Sequence, residues 1–469
     1  MERFAIEKEG LGDHHVSEGS SHELSAEHLA INERKLVLKI DLRILPILCI
    51  VYLMAFIDRV NIGNAQLFSL AKDLHLTTNQ YNIALAVFFV SYIAFEIPAN
   101  IIMKRVKPHI FMSSCMFCFG LLVTMQGFTQ NFGGLITTRF LMGFAEAGVF
   151  PGCFYLMSMW YKRDEAQRRF SFFVSAATFA GAFGGLLATG IGHMDGIRGY
   201  HAWRWIFILE GIATCVLSIV AYFAVSDFPE EAKWLSATER AFVVQRLAAE
   251  QGKSDLEQKI NFSAVLESLT DPKTLIAGFM YFGPTMSGYS LAYFIPTIVS
   301  TYGYTPIQAQ LHSIPPWAAA FGLSMTMAYA SDKTKRRFPF IIFNLLLALA
   351  GVITLFKYQG ANNHARYGAL CLYAMGVFSA VPIIICWFIM NLEGHKNRAV
   401  GSAWQIGFGN CAGFISTFAF PAKDKPKYET GYSLGIGLLS MSIVATIIYY
   451  IFCTMENKKR TNGQRKMIL

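Results

Sequence analysis

Four charged residues stand inside long apolar runs of this chain, and their types suit the handling of an anion and a proton. Asp58 and Arg59 are adjacent within Phe56-Ile57-Asp58-Arg59-Val60-Asn61-Ile62-Gly63-Asn64-Ala65. Arg139 and Glu146 lie seven positions apart in another run. A charge inside hydrocarbon costs roughly 2.5–3.5 kcal/mol on insertion scales, so it normally faces an aqueous cavity and has a partner. On a helix, seven residues make close to two turns and rise ~10.5 Å. Arg139 and Glu146 then project from one face at different depths, with Glu146 near the midplane. An arginine keeps its charge and presents a planar fork that matches a carboxylate. A carboxylate at that depth is costly to keep ionised, which suits a group that binds and releases a proton. The plainer reading is that these charges only pair and hold helices together. Glu96 and Glu210, each placed close to a membrane interface, fit that plainer reading best.

The elements that must position these residues follow from composition. The chain has 469 residues, 54% hydrophobic and only 15% charged, where soluble chains run nearer a quarter charged. Apolar stretches recur from residue 44 onward, several longer than the ~20 residues a helix needs to span a bilayer. The expected spans are 42–64, 81–102, 109–128, 133–157, 169–191, 204–224, 273–298, 308–330, 339–357, 366–390, 400–420 and 433–453. Backbone in lipid must satisfy its own hydrogen bonds, so these are helices. The fold class is therefore all-α integral membrane, with twelve transmembrane helices.

Loop charge sets the topology. Lys104-Arg105-Val106-Lys107, Tyr161-Lys162-Arg163, Lys333 with Lys335-Arg336-Arg337, and Lys396 with Arg398 fall on alternate connections. The opposite connections carry little positive charge, apart from Lys423, Lys425 and Lys427. The positive-inside rule then places both termini in the cytoplasm. The net charge of +9 is explained by these loops, and nothing supports nucleic acid as a partner. One long polar connection, 226–272, divides six spans from six. It opens with a capping box, Ser236-Ala237-Thr238-Glu239. The chain reads as a cytoplasmic tail (1–41), a six-helix bundle (42–225), a cytoplasmic loop (226–272), a second bundle (273–453) and a tail (454–469). A short basic loop follows the second span of each half, an internal duplication typical of transporters.

Other signals are weaker. Cys115 and Cys118 sit in an apolar helix, where thiols pack as small hydrophobes. His14, His15, His22 and His28 lie in a polar tail without an apolar signal core. Asn261-Phe262-Ser263, the one glycosylation sequon, falls in the cytoplasmic loop. Gly181-Ala182-Phe183-Gly184-Gly185 follows no strand and lacks a P-loop lysine, so helix packing is the better reading. Polar span residues of the second half include Tyr289, Tyr293, Trp387, Trp404, Gln405 and Asn410. Asn410, in Gly409-Asn410-Cys411-Ala412-Gly413, is either a helix contact or a substrate hydrogen bond. No metal cluster, nucleophile elbow or Walker motif is present, which argues against an enzyme.

At these residues the chain resembles the major facilitator superfamily, in particular the fungal allantoate permease group of its anion:cation symporter family. The resemblance covers residues 40–455. It rests on Asp58 to Ala65, on Arg139-Phe140-Leu141-Met142-Gly143-Phe144-Ala145-Glu146-Ala147-Gly148-Val149-Phe150-Pro151-Gly152, on Trp205 to Gly211, on Phe228-Pro229-Glu230 and on Gly409-Asn410. It implies two pseudo-symmetric six-helix bundles that rock about a central site, moving a small organic anion with a proton. By the same resemblance, Arg59, Arg139 and Asn410 bind substrate, and Asp58 and Glu146 couple protons. Ser331-Asp332 to Arg337 looks like the superfamily's gating loop, with Asp332 and Arg336 as its candidates. The first-half copy, Asn100 to Pro108, lacks the usual Asp. Substrates of the group include nicotinate, pantothenate, allantoate and biotin. The resemblance implies a monomer in the plasma membrane, driven by the proton gradient without a cofactor. Two alternatives stay open: a proton-exchange exporter of an acidic metabolite, and a receptor that binds a nutrient without moving it.

Overall fold

The computed structural model describes residues 32–103, 105–251, 271–358, 362–392, 395–460 and 467–468. The four tail histidines, Lys104 and the Asn261 sequon lie outside the described residues. The first half contains α1 (Glu33–Leu67), α2 (Thr78–Met103), α3 (Pro108–Gln126), α4 (Phe132–Glu146), α5 (Val149–Trp160), α6 (Arg163–Gly192) and α7 (Ala202–Ala224). Helix α8 (Ala237–Gln251) lies in the connection. The second half contains α9 (Pro272–Ser300), α10 (Pro306–Thr334), α11 (Phe338–Lys357), α12 (Asn363–Asn391), α13 (His395–Ser416) and α14 (Glu429–Lys459). Helices α4 and α5 form one crossing in two pieces, giving twelve crossings. Among the described residues, eight stretches are long and apolar enough to cross a bilayer by length and composition alone.

Of the boundaries that differ from the sequence reading, two have clear physical reasons. Helix α1 begins at Glu33, nine residues before the expected span. Asn32 caps it, its side chain accepting from Lys35 N at 3.2 Å, and Leu36, Ile40 and Ile44 repeat every fourth residue as a buried stripe. Hydropathy registers only the part in lipid. The single expected span 133–157 breaks after Glu146. Pro151 cannot donate to the carbonyl four residues back, and its ring crowds that carbonyl. The break leaves Glu146 at the carboxyl end of α4, where the helix dipole is negative.

Ion pairs fasten α8 to the first half. Arg246 bridges Glu33 at 3.3 Å and Glu165 at 3.0 Å, and Lys39 meets Glu239 at 2.8 Å. The capping box closes α8: Glu239 N donates to Ser236 Oγ at 3.1 Å, and Ser236 N to Glu239 Oε2 at 3.0 Å. These contacts put the start of α1, the α5–α6 connection and α8 on one face. Lys273 pairs with Glu456 at 2.5 Å, so the start of α9 and the end of α14 adjoin each other. Beyond α14 the chain returns: Met467 N donates to Asn457 Oδ1 at 2.6 Å and Ile468 N to Asn391 Oδ1 at 2.8 Å.

The two halves touch on both sides of the level of Arg59. Towards one face, Gln310 Nε2 donates to Asn64 O at 3.3 Å and Gly63 lies against the backbone of Tyr293. Towards the other, Arg168 of α6 reaches Asp332 of α10 at 3.9 Å. Between them, the Ser175 and Ser324 hydroxyls meet at 2.9 Å. A Cβ at position 63 would stand 2.5 Å from the Tyr293 carbonyl oxygen, so only glycine permits this approach of α1 to α9. Gly63→Val should therefore leave the protein in the membrane but lower its initial uptake rate at least about tenfold, because overpacking a close contact costs ~1–3 kcal/mol. Normal uptake by a normally expressed G63V protein would show that this contact is dispensable.

Candidate functional site

The charged level is built from α1, α2, α4, α7, α9 and α13. Neighbouring residues on a helix point about 100° apart, so Asp58 and Arg59 cannot face the same partner. Asp58 turns to α7, where Thr214 Oγ1 donates to its Oδ2 at 2.8 Å. Its Oδ1 is buried without a hydrogen-bond partner among the described residues. Arg59 turns to α4 and the second half. Its Nε donates to Glu146 Oε1 at 3.0 Å, and its Nη2 bonds the same oxygen. Its Nη1 donates to the Tyr289 hydroxyl at 2.7 Å. Three rings flank the guanidinium: Phe88 at 5.0 Å, Tyr92 at 4.9 Å and Tyr289 at 5.8 Å. Such cation–π contacts strengthen where water is excluded. Arg59 is 3% exposed and Glu146 1%.

The pairing thus crosses between helices, and the two neighbouring acid–arginine sets suggested by the sequence do not form. Arg139 and Glu146 share a face of α4 but sit two turns apart, and Arg59 of α1 takes the carboxylate instead. Arg139 is 1% exposed. Its Nη1 donates to the Arg59 carbonyl at 3.1 Å. Among the described residues, its Nε and Nη2 have no hydrogen-bond partner. Leaving buried donors unmade is expensive, and both remain available to an acceptor. Glu146 Oε2 is likewise buried without a partner among the described residues. One level therefore holds an acid that can take a proton, an arginine held by that acid, and a second arginine with donors to offer.

Glu210 and Glu96 are both buried inside the protein, and each meets a side-chain amide. Asn61 Nδ2 bonds Glu210 Oε2, and Asn64 Nδ2 donates to Asn61 Oδ1 at 3.3 Å. Asn410 joins the halves. Its Nδ2 donates to Glu96 Oε2 at 3.5 Å, and its Oδ1 accepts from the Tyr289 hydroxyl at 3.4 Å. Tyr293 stacks on Tyr289 with centroids 6.4 Å apart. Gln405 packs α13 to α9 by donating to Ala277 O at 3.3 Å. Trp387 lies away from this level and donates to Ile468 O at 2.8 Å.

In the loop expected to gate, Asp332 pairs with Arg337, and among the described residues Arg336 makes no ion pair with it. Arg337 Nη2 meets Asp332 Oδ1 at 2.5 Å and its Nη1 donates to Ser331 Oγ at 2.6 Å. Arg336 is exposed and contributes its carbonyl to Ser331 Oγ at 3.1 Å. Arg337→Ala should break the largely buried Arg337–Asp332 pair and lower uptake at least about tenfold, since breaking a buried pair costs ~3–5 kcal/mol. Arg336→Ala should stay within about twofold of the parent. Paired initial-rate measurements decide between the two arginines.

Phe88, Tyr92 and Thr214 were not singled out from sequence. Phe88 and Tyr92 stand four apart beside the equally apolar Phe89, and nothing marks them from lipid-facing rings. Thr214 is one hydroxyl in an apolar helix. The usable signal was indirect: each buried charge requires a partner.

Comparison with known proteins adds the family. The Major Facilitator Superfamily profile matches residues 48–421. The chain belongs to that superfamily. Among solved structures, the proton:xylose symporter XylE bound to 6-bromo-6-deoxy-D-glucose superposes with a TM-score of 0.68 at 15% identity, covering 87% of this chain and 96% of that one. An inward-facing bacterial homologue of the lysosomal transporter Spinster gives 0.64 at 15%, covering 90% and 98%. At such identity these show the major facilitator fold alone. By sequence, the chain is 32% identical to the MFS transporter prlL of a fungal species over 92% of this chain and 89% of that one. It is 29% identical to the high-affinity nicotinic acid transporter of Saccharomyces cerevisiae, over 91% and 79%. The protein is a membrane transporter and not an enzyme.

Proposed function

We propose that this major facilitator protein is a proton-coupled symporter of a small organic anion, a carboxylate, within the allantoate permease group. The observation that carries the reading is the buried Arg59–Glu146 pair, tied to Tyr289 across the halves and neighboured by the two unpartnered donors of Arg139. A substrate carboxylate competes with Glu146 for Arg59. A proton on Glu146 removes its charge and frees Arg59, so proton and anion load together. Arg139 supplies the second set of donors. Release of both on the far side restores the pair. Likeness to a nicotinic acid transporter supports a carboxylate cargo. The basic connections support a reading with both termini in the cytoplasm, and a nutrient-uptake role would put the protein in the plasma membrane.

The test is uptake of radiolabelled nicotinate, pantothenate, allantoate and biotin by yeast lacking its own permeases and expressing this chain. Uptake of one of the four that rises as outside pH falls is the expected result. Uptake of none, with efflux of an acidic product instead, would favour the exporter; binding without flux would favour a receptor.

A further inference from the structure

We propose that Glu96 is a second proton-binding carboxylate, which decides whether the Tyr289 hydroxyl can donate to the anion; this rests on the carboxylate-symport reading above. Glu96 is 7% exposed, and no cation lies within ion-pair distance of it among the described residues. Its hydrogen-bond partner is a neutral amide on the other half of the molecule, Asn410, at 3.5 Å. A proton can therefore bind there without breaking an ion pair. The groups around it are Arg59 from α1, Tyr281 and Tyr289 from α9, Cys411 from α13 and Tyr92 from its own helix. Helix α4 contributes Phe144, edge-on to Phe95 at 4.6 Å.

The chain of bonds has a direction that depends on one proton. An ionised carboxylate only accepts. Asn410 must then turn its NH2 to Glu96 and its carbonyl to Tyr289, and the Tyr289 hydrogen is committed to Asn410 at 3.4 Å. The Tyr289 oxygen meanwhile accepts from Arg59 at 2.7 Å. Protonated Glu96 has an O–H to donate. The Asn410 amide can turn over, its carbonyl accepting from Glu96 and its NH2 facing the Tyr289 oxygen. The Tyr289 hydrogen is then released towards an anion held by Arg59. The only bond made is O–H on Glu96, and the same bond breaks when that proton returns to the side it came from, so Glu96 sets the affinity and adds no transported proton. Glu96 acts through Asn410 and Tyr289, so it is a positioning residue.

The experiment compares half-saturation for whichever of the four labelled carboxylates the full-length protein carries, at about pH 5 and about pH 7.5. Gln at position 96 presents a permanent donor in place of the O–H. Glu96→Gln should therefore bind the anion about tenfold more tightly than the parent at the higher pH and equally at the lower, the size expected for one hydrogen bond to a charged group. Tyr289→Phe should weaken binding at the lower pH about tenfold, and adding E96Q to it should change nothing. Glu96→Asp should keep the parental pH dependence. A ratio of E96Q to parent that is the same at both pH values would overturn this inference alone. Likewise, a Y289F protein with parental half-saturation at both pH values would overturn it, whether or not E96Q folds. A parent protein that carries none of the four anions would overturn the symport reading and this inference with it.

Discussion

A Glu146→Gln protein should exchange its anion across the membrane but fail to concentrate it. One proton carried with a monoanion lets a gradient of about two pH units support about 100-fold accumulation, about 2.7 kcal/mol. Gln keeps a carbonyl that can accept from Arg59, so the geometry of α1 against α4 survives. What it lacks is a charge that a proton can remove. The accumulation ratio should therefore fall to about one, at any outside pH, while labelled anion still exchanges with unlabelled anion. The measurement is steady-state accumulation with and without a protonophore. Full pH-driven accumulation by E146Q would remove Glu146 from the coupling role.

The two arginines should give the same transport defect and opposite effects on stability. Arg59 is held by Glu146, by Tyr289 and by three rings. Arg59→Ala leaves Glu146 buried and unpaired, at a cost of ~3–5 kcal/mol. Its unfolding temperature in detergent should drop. Arg139 makes one backbone hydrogen bond and leaves two buried donors unmade. Removing it relieves that penalty, so Arg139→Ala should unfold at the parental temperature or above. Its uptake should nevertheless fall at least about 100-fold, because two hydrogen bonds to a charged ligand are worth ~1.5–3 kcal/mol each. Paired thermal unfolding and uptake check this. An R139A protein with parental uptake would dismiss Arg139 as an anion ligand.

The fold was largely readable from the chain because lipid imposes one solution, the helix, on every long apolar run. The limits of that reading are also physical. Hydropathy cannot find the start of α1, which is set by a cap and a buried stripe outside lipid. It also passes over the break after Glu146, although Gly148 and Pro151 mark it. In the site, the buried charges Asp58, Arg59, Arg139 and Glu146 announced themselves by their cost in hydrocarbon. Their partners did not, because pairing depends on which helix faces which. The sequence puts Asp58 beside Arg59 and Arg139 on the face of Glu146, yet Arg59 reaches Glu146 and Asp58 reaches Thr214. Glu96 was discounted for its position near a span end. Its partner Asn410 lies in the other half, and no local pattern links the two.

The account turns on whether a proton moves with the anion. Purified protein in liposomes, given an inward proton gradient and one of the labelled carboxylates that yeast expressing it takes up, should accumulate that anion above its outside concentration. A protonophore should collapse the accumulation to equilibrium. Uptake that reaches only equilibrium, at the same rate with and without the gradient, would contradict it.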